Sequence, residues 1–121
     1  MFAVYDVMKY VQRNNDIVTI GIGKVMSAGV LLLAAGTKGK RKIGKNCRVM
    51  LHSVIAGNHG SLHNLINEME AVEQLQKMYT DALLNETKMT QSQLKKMLER
   101  KVNVYLSAEE AVKLGIADII I

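Results

Sequence analysis

Proline and tryptophan are absent from this chain of 121 residues, and cysteine and phenylalanine occur once each. The lone thiol, Cys47, excludes an internal disulfide. No charged start, apolar stretch and cleavage-site arrangement opens the chain, and together these point to a reducing, cytoplasmic setting. Long hydrophobic runs are missing as well: "GVLLLAAG" falls far short of the roughly 20 residues that a bilayer-spanning helix needs, so a soluble protein without membrane contact is expected. No low-complexity linker and no internal repeat divides the sequence, and one domain over 1–121 is the economical reading. Aromatics make up 4% of the chain against 49% hydrophobic residues, so the core has to rest on Leu, Ile, Val, Ala and Met. A domain of this size buries roughly two-thirds of its unfolded surface, enough for a real core.

Positive charge is present in excess, with 16 Lys and Arg against 11 Asp and Glu. It is densest in "KGKRKIGKNCR", Lys38 to Arg48. No aromatic side chain is interleaved there for base stacking, so the run reads as a solvated turn and nucleic acid is not an expected partner.

Local patterns then place the elements. "FAVYDVMKYVQR" sets Val4, Met8 and Val11 at helical spacing with Phe2 and Tyr5 flanking. "IVTIGIG", Ile17 to Gly23, has the β-branched content of a buried strand, and a helix from about Ser27 to Ala35 follows, stopped by Gly36. "CRVMLHSVIAG" reads as another strand. Leu62, Leu65, Ile66, Met69, Val72, Leu75 and Tyr79 then form a stripe at spacings of three and four, which predicts a long helix over 61–86 with Ser61 as N-cap. That is far longer than the globular mean of about three turns, so part of it should pack against something beyond the domain. "TQSQLKKMLERK" is a helix capped by Thr90; "SAEEAVKLG" is a short one with Ser107 and Glu110 as capping box and Gly115 as stop; "IADIII" closes as a strand. Such alternation predicts an α/β fold with a parallel sheet built from βαβ units.

Two side chains stand out chemically. Ser27 sits at a strand-to-helix junction, where a serine is an ordinary N-cap but where free backbone N–H groups can also stabilise an oxyanion. His52 ends the strand "RVMLH", as a structural histidine or as a base, and both positions lie at the edge where open α/β sheets place their sites. His59 and His63 imitate a metal cluster with His52, but a zinc site wants further ligands and none is evident, so no metal is expected. "GIGKVMS" lacks the spacing of a phosphate loop, and no cofactor is expected.

Taken in order, "YDVMKY", "MSAGVLLLAAGTKGKR", "NCRVMLH" and "YLSAEEAVKLGIAD" resemble the ClpP family of self-compartmentalised serine peptidases, over nearly the whole chain. The resemblance implies the ClpP/crotonase-like fold, a repeated βαβ superhelix with a protruding handle helix, here about 61–86. It implies a serine-type endopeptidase that cleaves unfolded polypeptides inside a chamber of heptameric rings, as a homo-oligomer or a mixed ring, beside an AAA+ Clp unfoldase. Ser27 matches the family nucleophile, His52 the general base, and the Ala28 N–H one oxyanion donor. Val54, Ile55, Ala56 and Gly57 match the strand that pairs with extended substrate.

The chain also departs from that pattern. Asn103 stands where the family carries the aspartate of its triad, and Lys101 and Val102 replace polar residues that couple the triad to ring assembly. The nearest acid, Glu99, would need a displaced loop to substitute. Relative to the family the chain starts at the helix after a "PGG" turn, so the N-terminal third, with a glycine-borne oxyanion donor, is expected to be missing. Lys42 takes an aromatic place in the groove that receives unfoldase loops, where Tyr10 retains one. These departures imply attenuated activity, with a catalytically inactive ring subunit as the alternative. An acyl-CoA enzyme of the crotonase fold is a more distant third.

Overall fold

A computed structural model describes residues 1–100 and 102–121; Lys101 lies outside the described residues. The chain forms α1 (Phe2–Val11), β1 (Thr19–Gly21), β2 (Lys24–Met26), α2 (Ala28–Ala34), β3 (Arg41–Ile43), β4 (Arg48–Leu51), α3 (Leu62–Glu86), α4 (Gln91–Leu98), β5 (Val104–Leu106), α5 (Ala108–Lys113) and β6 (Ile119–Ile120). Two small sheets replace the single parallel sheet expected. One is all parallel in the order β1-β3-β6; in the other, β2-β4-β5, β2 and β4 run parallel while β5 is antiparallel to β4.

The split begins inside the predicted strand Ile17 to Gly23. Gly23 has φ +70, a left-handed turn that suits glycine. It breaks the run so that Thr19–Gly21 pairs with β3 and Lys24–Met26 pairs with β4. Gly36 is not the left-handed stop expected after α2, since its φ is not positive. Its requirement is space: a Cβ there would come within 2.4 Å of the Thr19 hydroxyl oxygen.

The basic run is a solvated turn only in part: Lys38, Lys40, Lys45 and Arg48 are exposed, while its middle forms β3. Arg41 and Ile43 are buried in β3, and the Arg41 guanidinium is 2% exposed. That guanidinium donates to the Ala34 carbonyl at 3.0 Å, to the Glu86 carbonyl at 2.7 Å and to both Asp118 carboxylate oxygens at 2.7 and 2.8 Å. It therefore ties the ends of α2 and α3 to the turn before β6. Beside it the buried Glu86 carboxylate accepts from Tyr5 at 2.9 Å and pairs with Lys9 at 2.8 Å. Burial pushes Glu86 up, but the hydrogen bonds from Lys9 and Tyr5 and the Lys9 and Lys38 charges outweigh it, and the net shift is down.

These polar anchors also orient α1. Phe2, Tyr5, Met8 and Gln12 face inward, with the Gln12 amide donating to the Ala35 carbonyl. Val4 and Val11, expected on the inner stripe, are exposed. Burial of α3 is confined to Tyr79, Ala82, Leu83 and Glu86 in its last two turns. Leu62, Ile66, Met69 and Leu75 on its predicted stripe stay 44–69% exposed. All three expected N-caps are present: Ser61 accepts from Asn64, and Thr90 and Ser107 form capping boxes with Gln93 and Glu110. Gly115, φ +75, ends α5 as expected. No helix among the described residues is long and apolar enough to cross a membrane.

Stripping Asp118 from Arg41 leaves a buried charge without its partner, so Asp118→Asn should cost about 3 kcal/mol, measured by urea unfolding at neutral pH. Arg41 holds the Asp118 carboxyl down, from 3.8 to about 2. A depressed carboxylate stabilises the fold above its unfolded pKa and loses that contribution as pH falls through the folded value. Wild type should therefore lose stability between about pH 4 and pH 2 more steeply than Asp118→Asn; parallel acid limbs would contradict the pairing.

Candidate functional site

The site is built where β2 and β4 end. Their parallel register pairs Lys24 with Arg48, Val25 with Val49 and Met26 with Met50. The ladder runs one bond further, from the Ser27 N–H to the Met50 carbonyl at 2.9 Å. Both chains then leave on the same edge, β2 turning through Ser27 into α2 and β4 passing through Leu51 to His52.

Ser27 makes that turn at φ +52 and ψ −116, and it is the one non-glycine residue with positive φ among the described residues. Such a backbone costs on the order of 1–3 kcal/mol and persists only where the surroundings enforce it. Although Ser27 occupies the N-cap position of α2, its side chain makes no capping hydrogen bond. The hydroxyl is thus spared from the ordinary role of a serine at a helix start. Ala28 follows as the first helical residue, whose N–H no intrahelical carbonyl can accept.

Ser27, Ala28, His52, Val54 and Ile55 line one cleft of about 230 Å³ together with Tyr79 and Met1. His52 also lines a second cleft of about 220 Å³ with Val102 and Asn103, so it borders both the cleft of the serine and that of the asparagine. Its Nδ1 lies in hydrogen-bond contact with the Ser53 carbonyl. A carbonyl can only accept, so Nδ1 is the donor there, and in the neutral imidazole this leaves Nε2 as the basic nitrogen. Among the described residues no hydrogen bond joins His52 to Ser27 or to Asn103, which is exposed. Glu99 pairs with Lys95 at 3.7 Å and lines neither cleft.

The segment expected to pair with substrate is irregular and mostly exposed rather than a continuation of β4. The Val54 N–H is occupied by the Gln76 side-chain oxygen at 2.7 Å. Ala56 and Gly57 line a separate groove against α3, with Leu65, Met69 and Val72. His59 and His63 are exposed and line neither cleft that His52 lines. Tyr79 is the site residue that sequence reasoning missed: its hydroxyl donates to the Ser27 carbonyl at 3.0 Å. Its signal was weak, a tyrosine among aliphatic residues on the inner stripe of α3. A hydroxyl, an imidazole and a first-turn helix amide around one cleft are the groups that general-base-assisted acyl transfer requires.

Because strain rather than capping distinguishes Ser27, glycine there should stabilise. Ser27→Gly should raise stability by about 1 kcal/mol, the relieved strain exceeding glycine's chain-entropy cost. Ser27→Ala should change it by less than about 0.5 kcal/mol. A capping serine would instead lose about 1 kcal/mol on change to alanine and gain nothing from glycine. Thermal unfolding of the two variants separates the cases.

The comparisons with known proteins agree with this architecture. A family profile described as Clp protease matches residues 1–121. The chain is 37% identical over 116 residues to the ATP-dependent Clp protease proteolytic subunit 1 of Leifsonia xyli, covering 96% of this chain and 57% of that protein. It is 36% identical over 119 residues to the proteolytic subunit of Deinococcus radiodurans, covering 98% and 56%. Against proteolytic subunit 2 of Tropheryma whipplei the identity is 35% over 116 residues, covering 96% and 62%. The chain thus spans little more than half the length of the relatives it matches, yet that match runs through both strand ends and α3, and the chain belongs to the Clp protease family.

Proposed function

We propose that the chain is a ClpP-like serine endopeptidase subunit, hydrolysing peptide bonds of unfolded polypeptides with attenuated activity. The observation that carries this reading is the uncapped, positive-φ Ser27 in one cleft with His52. A strained strand-to-helix turn is also how other serine hydrolases present their nucleophile.

In this reading His52 Nε2 takes the Ser27 proton as Oγ attacks the scissile carbonyl. The Ala28 N–H stabilises the oxyanion, and the imidazolium returns the proton to the leaving amine. Water then hydrolyses the acyl-enzyme by the same route. Val54, Ile55, Ala56 and Gly57 would hold extended substrate, with the Val54 N–H already engaged by Gln76. The Asn103 carbonyl oxygen could take the Nδ1–H only in place of the Ser53 carbonyl that accepts it here, and it cannot balance the imidazolium charge, which is the physical reason for attenuation.

We further propose one ClpP/crotonase-like domain of βαβ superhelix type, with α3 as its handle. The exposed stripe of Leu62, Ile66, Met69 and Leu75 supports burial of that helix against another subunit, in heptameric rings that stack as a tetradecamer or in a mixed ring. An AAA+ Clp unfoldase is the partner class this reading brings. Tyr10 is 68% exposed for that role, although Arg13 lies 5.4 Å over its ring and Lys42 replaces an aromatic. The setting is cytoplasmic.

A second reading, a non-catalytic ring subunit that modulates active ones, is favoured by the exposed Asn103 having no hydrogen bond to His52. Cleavage of a fluorogenic peptide decides between them. It should be lost in Ser27→Ala; equal rates for wild type and that variant reject the peptidase, and a loss rejects the non-catalytic subunit. Asn103→Asp should raise kcat by at least about tenfold, within the roughly 10⁴-fold that an aspartate at this position contributes in a trypsin-type triad.

A further inference from the structure

Ser27 is tied on both of its peptide units. Its N–H is held by the Met50 carbonyl, and its own carbonyl takes two donors, the Val30 N–H at 3.0 Å and the Tyr79 hydroxyl at 3.0 Å. The second donor comes from another layer of the fold, the buried end of α3, where Tyr79 is 3% exposed. Burial pushes the Tyr79 phenol up from its ordinary value, so it stays protonated as a donor at every working pH. Aliphatic packing needs no hydroxyl at this place, and the hydroxyl reaches the one non-glycine residue of positive φ among the described residues.

We propose that Tyr79 is a positioning residue for the reacting turn: through the Ser27 carbonyl it fixes the plane of the Ser27–Ala28 peptide, and with it the direction of the Ala28 N–H. The inference rests on the hydrolase reading above. A peptide unit is planar, with its C=O and N–H pointing in opposite directions from one rigid frame, so a donor that holds the oxygen also aims the hydrogen. The same hydrogen bond polarises the amide and makes its N–H a stronger donor toward a developing oxyanion. With Met50 holding the preceding unit, Ser27 cannot leave its positive φ by rotating either peptide. Tyr79 also walls the cleft, but its hydroxyl is committed to the Ser27 carbonyl and acts on substrate only through that peptide.

Tyr79→Phe removes the hydroxyl and keeps the ring; Tyr79→Met fills the space with a flexible apolar chain. Both are compared with wild type and Ser27→Ala in the intact protein, using kcat and KM on a short peptide, affinity for a peptide boronate that forms a tetrahedral adduct on serine, and thermal unfolding. The expected result for Tyr79→Phe is a fall in kcat of about tenfold with KM within about twofold, and a matching loss of boronate affinity. A folded Tyr79→Phe with wild-type kcat and boronate affinity overturns the inference, because a packing role alone would move only the unfolding temperature. Should Tyr79→Phe fail to fold, Tyr79→Met decides on the same criteria. Cleavage that survives unchanged in Ser27→Ala, or a wild type that neither cleaves nor binds the boronate, overturns the hydrolase reading and this inference with it. A wild type that depends on Ser27 but not on the Tyr79 hydroxyl overturns the positioning role alone.

Discussion

The parallel pairing of β2 with β4 is the constraint on which the candidate site depends. Three residue pairs, Lys24 with Arg48, Val25 with Val49 and Met26 with Met50, are enough to fix it, because Val25 and Val49 must both face the core. A slip of β2 by one residue would turn Val25 away from the core and bring Lys24 or Met26 to its place, so the pattern of β2 protects the register. Since the strands run in the same direction, their ends open on one edge, and Ser27 and His52 reach the same cleft from opposite sides of the ladder. An antiparallel pairing would have separated them by the length of the strands.

The second constraint is the buried guanidinium of Arg41. Its donors reach the carbonyls that end α2 and α3 and the carboxylate before β6, so three separate chain ends converge on one rigid planar group. Helix ends carry unpaired carbonyls, and here an arginine satisfies them in place of water. Anchoring at Glu86 also explains how α3 can be fixed by its last two turns while its earlier turns project with their apolar side chains uncovered. The same anchored end carries Tyr79 to the Ser27 carbonyl, which links the handle-like helix to the reacting turn.

Much of this was legible in the sequence where the signal is local. Ser61, Thr90 and Ser107 cap the helices they precede because capping involves residues only three apart, and the seven-residue stripe of α3 announced its length. What escaped was set by distant partners or by backbone geometry. Arg41 and Asp118 are 77 residues apart, so nothing local distinguishes the buried Arg41 of β3 from the exposed Lys38, Lys40, Lys45 and Arg48 around it. The inward face of α1 is chosen by Tyr5 reaching Glu86 and Gln12 reaching Ala35, against a pattern of valines that suggested the neighbouring face. At Ser27 residue type alone left cap and nucleophile open, because nothing in a one-letter code reports a φ of +52. Asn103 was found by its place in a motif, while only the three-dimensional structure shows that the His52 Nδ1 is engaged by the Ser53 carbonyl instead.

Whether the strained Ser27 reacts is measured most directly by covalent labelling with a fluorophosphonate, followed by mass spectrometry of the intact protein and of its peptides. One adduct per chain is expected, carried on Ser27 and absent from Ser27→Ala. A native, folded chain that stays unlabelled, or an adduct that maps to another residue and persists in Ser27→Ala, would contradict it.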